Sequence, residues 1–152
     1  MSLPVDVGVL IPAAGRGVRA GGTEPKQFRS IAGIPMLQRA IRPFRSHPRV
    51  RQIVVALPKE RCKEPPKWLQ SETAGLLRIV PGGATRADSV KSALDALDPR
   101  CRIVLVHDAA RPFVSLATID AVIAVAAGRG ALAAVPVSDT VKRGDETTRL
   151  VT

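Results

Sequence analysis

Among its 152 residues the chain has no tyrosine, one tryptophan and three phenylalanines, so aromatics make up only 3%. The core must therefore be filled by Val, Ile, Leu and Ala, and the aromatic interleaving on which single-stranded nucleic acids stack is missing. No apolar run approaches the roughly 18 residues of a membrane span. The N-terminus lacks the charged-then-apolar layout of a secretory signal. Cysteine is scarce: Cys62 and Cys101 stand far apart without partners at metal-ligand spacing. Free thiols in a reducing compartment fit that usage better than a disulfide or a zinc site. These absences point to a cytoplasmic protein that engages neither membrane nor nucleic acid.

What is present suits a packed domain. Hydrophobic residues reach 45% and mean hydropathy is +0.11, and a chain of this length buries about two thirds of its unfolded surface. Net charge is +10 with a pI near 11.0. A basic balance of that size invites a nucleic-acid reading, but the Arg and Lys residues are dispersed. A small phosphorylated substrate explains the basic loops better, and a non-catalytic basic binding module stays as the alternative that charge alone favours.

Residues 9–28 read VLIPAAGRGVRAGGTEPKQF. Val9, Leu10 and Ile11 belong to a buried strand over 5–12, which empties into a loop carrying Gly15, Gly17, Gly21 and Gly22. Glycines let successive N–H groups line a phosphate-sized concavity, and Arg16, Arg19 and Lys26 add fixed charge around it. Residues 15–20 match the dinucleotide pattern G-x-G-x-x-A. Gly21, Gly22 and Pro25 break the helix that pattern demands, however, and the next strand ends at Leu57-Pro58 without a carboxylate. The Walker pattern fails too, because Thr23 follows Gly22 with no lysine between them. A long cationic loop suited to a triphosphate remains, with a solvated basic loop left open beside it.

Further along, Pro35 opens a helix whose apolar face is Met36, Leu37, Ala40, Ile41 and Phe44, and Pro43 should end or kink it. Ser46-His47-Pro48 turns the chain into a strand over 52–57. Residues 59–70 read as a charged, proline-broken surface loop with a short helix at 67–71, where Trp68 is a packing residue. A third strand covers 76–80. Gly82-Gly83 then feeds a helix with a Thr85/Asp88 capping box and a stripe of Val90, Ala93, Leu94 and Leu97. Such a helix start is a natural anion site. A buried strand over 103–106 carries His107 and Asp108 at its carboxyl end. Ile119, Val122, Ile123 and Ala126 mark a helix from Ser115, closed by Gly128 and Gly130, and 131–137 reads as a fifth strand.

This alternation predicts a three-layer α/β/α domain over residues 1–137, with a mainly parallel twisted sheet and ligands at the strands' carboxyl ends. Residues 138–152 read as the start of a β-arm leaving the sheet. Asp108 suits Mg2+ or a ribose, since a hard cation whose shell is completed by phosphates and waters needs few protein ligands. His107 should face away from it, as a structural hydrogen-bonded residue.

Four stretches in this order carry a resemblance: AAGRGVRAGGTEPKQF (13–28), GGATRADSV (82–90), VHDAARP (106–112) and PVSDTVK (136–142). The first resembles nucleotidyltransferases that activate sugar or polyol phosphates, and Pro25-Lys26-Gln27-Phe28 looks like their cytidylyltransferase branch. Together, over residues 7–142, they are similar to the 2-C-methyl-D-erythritol 4-phosphate cytidylyltransferases of the non-mevalonate isoprenoid pathway. The resemblance implies a nucleotide-diphospho-sugar transferase-like fold, and attack of a polyol phosphate on the α-phosphorus of CTP with release of pyrophosphate. It implies Arg19 and Lys26 as transition-state stabilisers, and Pro12, Ala13, Ala14, Gly15 and Gly17 as CTP contacts. Gly83, Arg86, Ser89 and Ala109 match further nucleotide contacts. Asp108, Arg111 and Thr140 match the substrate side, with Asp108 also the Mg2+ ligand. Ala84 stands where some relatives carry an acidic residue, so one side-chain contact to the nucleotide is expected to be absent. A sister enzyme acting on ribitol 5-phosphate shares the first stretch and is the second reading. The pattern further implies a homodimer formed through the β-arm, and a remainder of arm and C-terminal segment beyond residue 152.

Overall fold

The computed structural model describes residues 4–15, 24–71, 75–126 and 128–136. In chain order the elements are β1 (Val7–Pro12), a 3-10 turn (Lys26–Phe28), a hairpin of β2 (Ser30–Ile31) and β3 (Ile34–Pro35), α1 (Met36–Arg45) and β4 (Val50–Leu57). There follow α2 (Lys59–Lys63), α3 (Lys67–Gln70), β5 (Leu77–Pro81), α4 (Arg86–Asp95), β6 (Ile103–Val106) and α5 (Leu116–Ala126).

Side-chain alternation along the strands sorts these elements into three layers. Val9 and Ile11 of β1 with Ile53, Val55 and Leu57 of β4 bury one sheet face against Leu37, Ile41 and Phe44 of α1 and Ile119 and Ile123 of α5. Leu10, Val54, Ala56 and Val80 bury the other face against α4, through Ala93 and the half-buried Val90 and Leu97. The main sheet has the order β5-β4-β1-β6 and is parallel throughout. From β1 the chain steps outward to β4 and β5 with helices on one face, then crosses back to β6 with α4 on the other. Reversing direction and face together is what right-handed crossovers require, and it opens a crevice between the carboxyl ends of β1 and β6.

Two polar ties hold the α1 and α5 side together. His47, almost fully buried, accepts the Arg49 N–H at Nδ1 (3.2 Å), so its Nε2–H donates to Asp120 Oδ1 on α5 (2.9 Å). The Arg39 guanidinium donates twice to the Ile31 carbonyl, at 2.7 and 3.0 Å, and fastens the β2–β3 hairpin to α1. That hairpin turns on Ala32 (φ 48°) and Gly33 (φ 74°), the paired positive φ that two-residue loops favour.

The α/β architecture and parallel sheet agree with the sequence reading, but several details differ. The first strand begins at Val7, and Val5 is exposed. Pro43 does not end α1, which runs on to Arg45. Pro43 lacks the N–H that would bond the Arg39 carbonyl four residues before it, a loss of one ladder bond in the last turn. The stretch 59–70 holds two short helices rather than one, each preceded by a proline. Leu94 is 48% exposed, and the buried face of α4 runs through Ser89 and Ala93 instead. The strand β6 is not buried on both faces, since Val104 and Val106 are about half exposed. The fifth strand does not form over 131–136. No strand pairs with the outer edge of β6 among the described residues, and Leu132 and Val135 are 88% and 85% exposed. The arm over 138–152 lies outside the described residues.

Leu37 is fully buried on α1. Leu37→Ala should lower the unfolding free energy by about 2–5 kcal/mol through lost contact and a residual cavity. Leu94→Ala should change it by no more than about 0.5 kcal/mol. Urea unfolding of both variants checks the pair.

Candidate active site

Because the four strands are parallel, their carboxyl ends share one edge, and three backbone bonds bring the following loops together there. The Ala13 N–H donates to Ala56 O (2.8 Å), the Gly82 N–H to Leu57 O (2.7 Å) and the His107 N–H to Leu10 O (2.9 Å). The first two loops then touch. A Cβ at Gly82 would overlap that of Ala14 and lie 2.9 Å from Ser89 Oγ, so only glycine fits that position.

The loop after β1 leaves the sheet through half-buried Pro12, buried Ala13, half-buried Ala14 and exposed Gly15. Lys26 is exposed on the 3-10 turn, while its neighbours Gln27 and Phe28 are buried. Gln27 Nε2 donates to both Ala13 O (2.7 Å) and Gly15 O (2.8 Å), and the Arg61 guanidinium stacks 4.7 Å from the Phe28 ring centroid. Sequence spacing does not reveal either brace. The resemblance at Pro25–Phe28 covers Gln27 only as part of a motif.

The loop after β5 is organised by its helix start. Thr85 Oγ1 accepts the Asp88 N–H (3.1 Å), and Asp88 Oδ2 accepts the Thr85 N–H (3.0 Å), completing the expected capping box. Hydrogen bonding from the Thr85 side chain, and then from its backbone N–H, holds the Asp88 carboxyl below its ordinary range. Ser89 is buried, its hydroxyl donating to Thr85 O (3.0 Å) and accepting the Gly83 N–H (3.2 Å). Its one proton is thus committed inside the loop, and it shapes the exposed Gly83 peptide.

At the end of β6, Asp108 joins two of the candidate cations. Arg86 donates to Oδ1 through Nη2 (2.8 Å) and Nε (3.2 Å), and Arg111 Nε donates to Oδ2 (3.1 Å). The Arg86 hydrogen bond is the main reason the Asp108 carboxyl sits below the usual carboxylate range. Ala109 is buried beside it. His107 turns elsewhere: Nε2–H donates to Arg111 O (2.9 Å) and the ring tilts against Phe44, centroids 4.9 Å apart. It pins the 107–111 loop, and burial pushes its pKa down.

The structure therefore brings Pro12, Ala13, Ala14, Gly15, Lys26, Gly83, Arg86, Ser89, Asp108, Ala109 and Arg111 to one edge. Gly17, Arg19 and Thr140 lie outside the described residues. A groove of about 910 Å³ runs along the free edge of β6 and reaches this region at Arg86, Asp108 and Arg111, though not at Lys26 or Ala14. No group of three or more metal-ligating side chains occurs among the described residues. Asp108 is a lone carboxylate whose two oxygens accept from guanidinium groups, and no cage of protein ligands surrounds it among the described residues. Both thiols are free and burial pushes them up, as expected of cysteines without chemistry. No described helix is long and apolar enough to cross a membrane.

A family model described as IspD, 2-C-methyl-D-erythritol 4-phosphate cytidylyltransferase, matches residues 7–152. The chain belongs to this family. It is 48% identical over 139 residues to the 2-C-methyl-D-erythritol 4-phosphate cytidylyltransferase of Salinibacter ruber, covering 90% of this chain and 58% of that protein. It is 43% identical over 137 residues to a bifunctional enzyme IspD/IspF of Desulfotalea psychrophila, covering 36% of that protein. The crystal structure of the Thermus thermophilus cytidylyltransferase superposes with a TM-score of 0.73 at 35% identity, over 97% of this chain and 63% of that one. This chain thus spans little more than half the length of the curated single-function relatives it matches. The superposition is that of the nucleotide-diphospho-sugar transferase-like fold.

Gly82→Ala should cost about 1–3 kcal/mol through overpacking between the first two loops, readable by urea unfolding. The depressed His107 pKa makes a second prediction. A group whose folded pKa lies below its unfolded value of about 6.5 binds its proton more readily when unfolded, so stability is full above that pH and declines as pH falls towards the folded pKa. His107→Gln should flatten this decline, and the difference between the two pH–stability curves isolates the residue.

Proposed function

We propose that the protein transfers a cytidylyl group from CTP to 2-C-methyl-D-erythritol 4-phosphate. A phosphate oxygen of the polyol attacks the CTP α-phosphorus in line, the bond to the β-phosphate breaks, and 4-diphosphocytidyl-2-C-methyl-D-erythritol and pyrophosphate form. The observation that carries this reading is the meeting of three motif loops at one edge of the sheet, with Lys26 on the turn that Gln27 ties to the first loop and with Arg86 and Arg111 gathered on Asp108 at the third.

The phosphates already carry the reacting atoms, so the protein's task is alignment and neutralisation of charge. Lys26 and Arg19 neutralise charge building on the α-phosphate oxygens. Pro12, Ala13, Ala14, Gly15 and Gly17 hold the nucleotide by main-chain approach. Gly83 reads the nucleoside with Ser89 behind it, and Arg86 and Ala109 close that side. Arg111 and Thr140 receive the polyol phosphate, Arg111 by a guanidinium fork suited to phosphate oxygens. A divalent cation, Mg2+ by preference for hard oxygen ligands, would be held by the triphosphate and Asp108, and would offset phosphate charge. We place the protein in the cytoplasm, in keeping with its free thiols, and assign residues 138–152 to an arm through which two chains pair.

Pyrophosphate release from CTP, measured with methylerythritol phosphate and with ribitol 5-phosphate in parallel, tests the assignment. Activity confined to the ribitol substrate, or none with either, would overturn it. Lys26→Ala should lower turnover about 10²- to 10³-fold with a much smaller change in CTP affinity, as expected on removing one preorganised charge donor. Asp108→Asn should raise the Mg2+ concentration that gives half activity, and an unchanged metal titration would return Asp108 to holding its two arginines.

A further inference from the structure

Gln27 contributes no charge and is 6% exposed, yet it makes two side-chain bonds to the start of the β1 loop. Its amide nitrogen bridges Ala13 O at 2.7 Å and Gly15 O at 2.8 Å. We infer that Gln27 is the positioning residue of the anion site: by holding the Ala13 and Gly15 carbonyls to one side, it turns the Ala14 N–H outward towards the triphosphate and ties the turn that carries Lys26 to the same frame. The inference rests on the cytidylyltransferase reading and deepens it.

The geometry follows from the peptide bond. In a trans peptide the N–H points opposite to the preceding C=O, so fixing the Ala13 carbonyl towards Gln27 fixes the Ala14 N–H away from it. The Ala14 N–H has no hydrogen-bond partner among the described residues. Without the bridge, the Ala13 and Gly15 carbonyls are equally free to turn towards the ligand, where their partial negative charge would oppose a phosphate. A primary amide is the side chain suited to this task, because its NH2 supplies two donors from one atom and carries no charge to bury.

Lys26 shares the arrangement. Gln27 occupies the middle of the three-residue 3-10 turn that begins with Lys26, so the two bonds that orient the loop also set the distance between the loop and the Lys26 backbone. Arg61 over the Phe28 ring braces the same turn from the opposite end. The Ala14 N–H and the backbone of Lys26 are therefore held as one unit, which spares the ligand their ordering.

The test compares Gln27→Met, which keeps shape and loses both donors, with Gln27→Glu, whose carboxyl donates only when protonated. Calorimetry would measure CTP and inorganic tripolyphosphate binding, alongside thermal unfolding and steady-state turnover. Both variants should bind either ligand about tenfold more weakly at pH near 8, equivalent to about 1.4 kcal/mol, and turnover should fall beyond the loss in affinity. For Gln27→Glu the deficit relative to the parent should shrink as pH is lowered towards about 5.5, since burial beside two carbonyl oxygens raises the carboxyl pKa and protonation restores one donor. Gln27→Met should show no such recovery. Variants that melt earlier but bind both ligands and turn over like the parent would overturn the inference and leave Gln27 a packing residue. A parent that ignores CTP but binds tripolyphosphate in a Gln27-dependent way would overturn the cytidylyl reading and sustain this one. Binding of neither ligand by the parent would overturn both.

Discussion

Parallel pairing of β1 with β4 on one side and with β6 on the other is the constraint from which the candidate site follows. Only a strand hydrogen-bonded on both edges and covered on both faces can be as apolar as Val7–Pro12, whose first five residues are all buried. Its one gap, Gly8, admits the Leu97 methyls, which would stand 2.7 Å from a Cβ there. With β1 held centrally, the loops after β1, β5 and β6 have no choice but to emerge at the same edge. Three residue-sparse motifs, far apart in the chain, thereby become one surface.

The electrostatics at that edge are arranged in pairs. A chain of net charge +10 does not lack cations, and most of them are dispersed. What distinguishes Arg86 and Arg111 is a shared carboxylate, Asp108, which spaces two guanidinium groups at the mouth of the crevice and lowers their mutual repulsion. Lys26 stands apart from that cluster on the 3-10 turn.

Much of this was legible in the residues. The four strand interiors, the α1 face and the Thr85/Asp88 cap follow from periodicity and capping chemistry, which are local rules. The failures have a common physical origin. Leu94 satisfies helical spacing, but whether it is buried depends on where α4 lies against β1 and β4. Residues 131–136 have the composition of a strand, yet a strand exists only when a neighbour supplies its hydrogen bonds, and none of the described residues does. The hairpin at Ala32-Gly33 has two residues in each strand, too few for an alternating pattern to mark it.

The sequence by itself determined which residues carry charge, where the backbone can bend and which segments must be buried, because these depend on side-chain chemistry and on spacing along the chain. It therefore sufficed to bring out the glycine loops, the helix start after Gly83 and the family likeness. The tertiary structure alone decided what each polar side chain does, since a hydrogen bond depends on which distant groups arrive within reach. Asp108 could have been solvated but receives Arg86 from another element, Ser89 could have faced a ligand but spends its proton on Thr85, and Gln27 could have been surface but bridges two carbonyls of a loop that precedes it by a dozen or more residues.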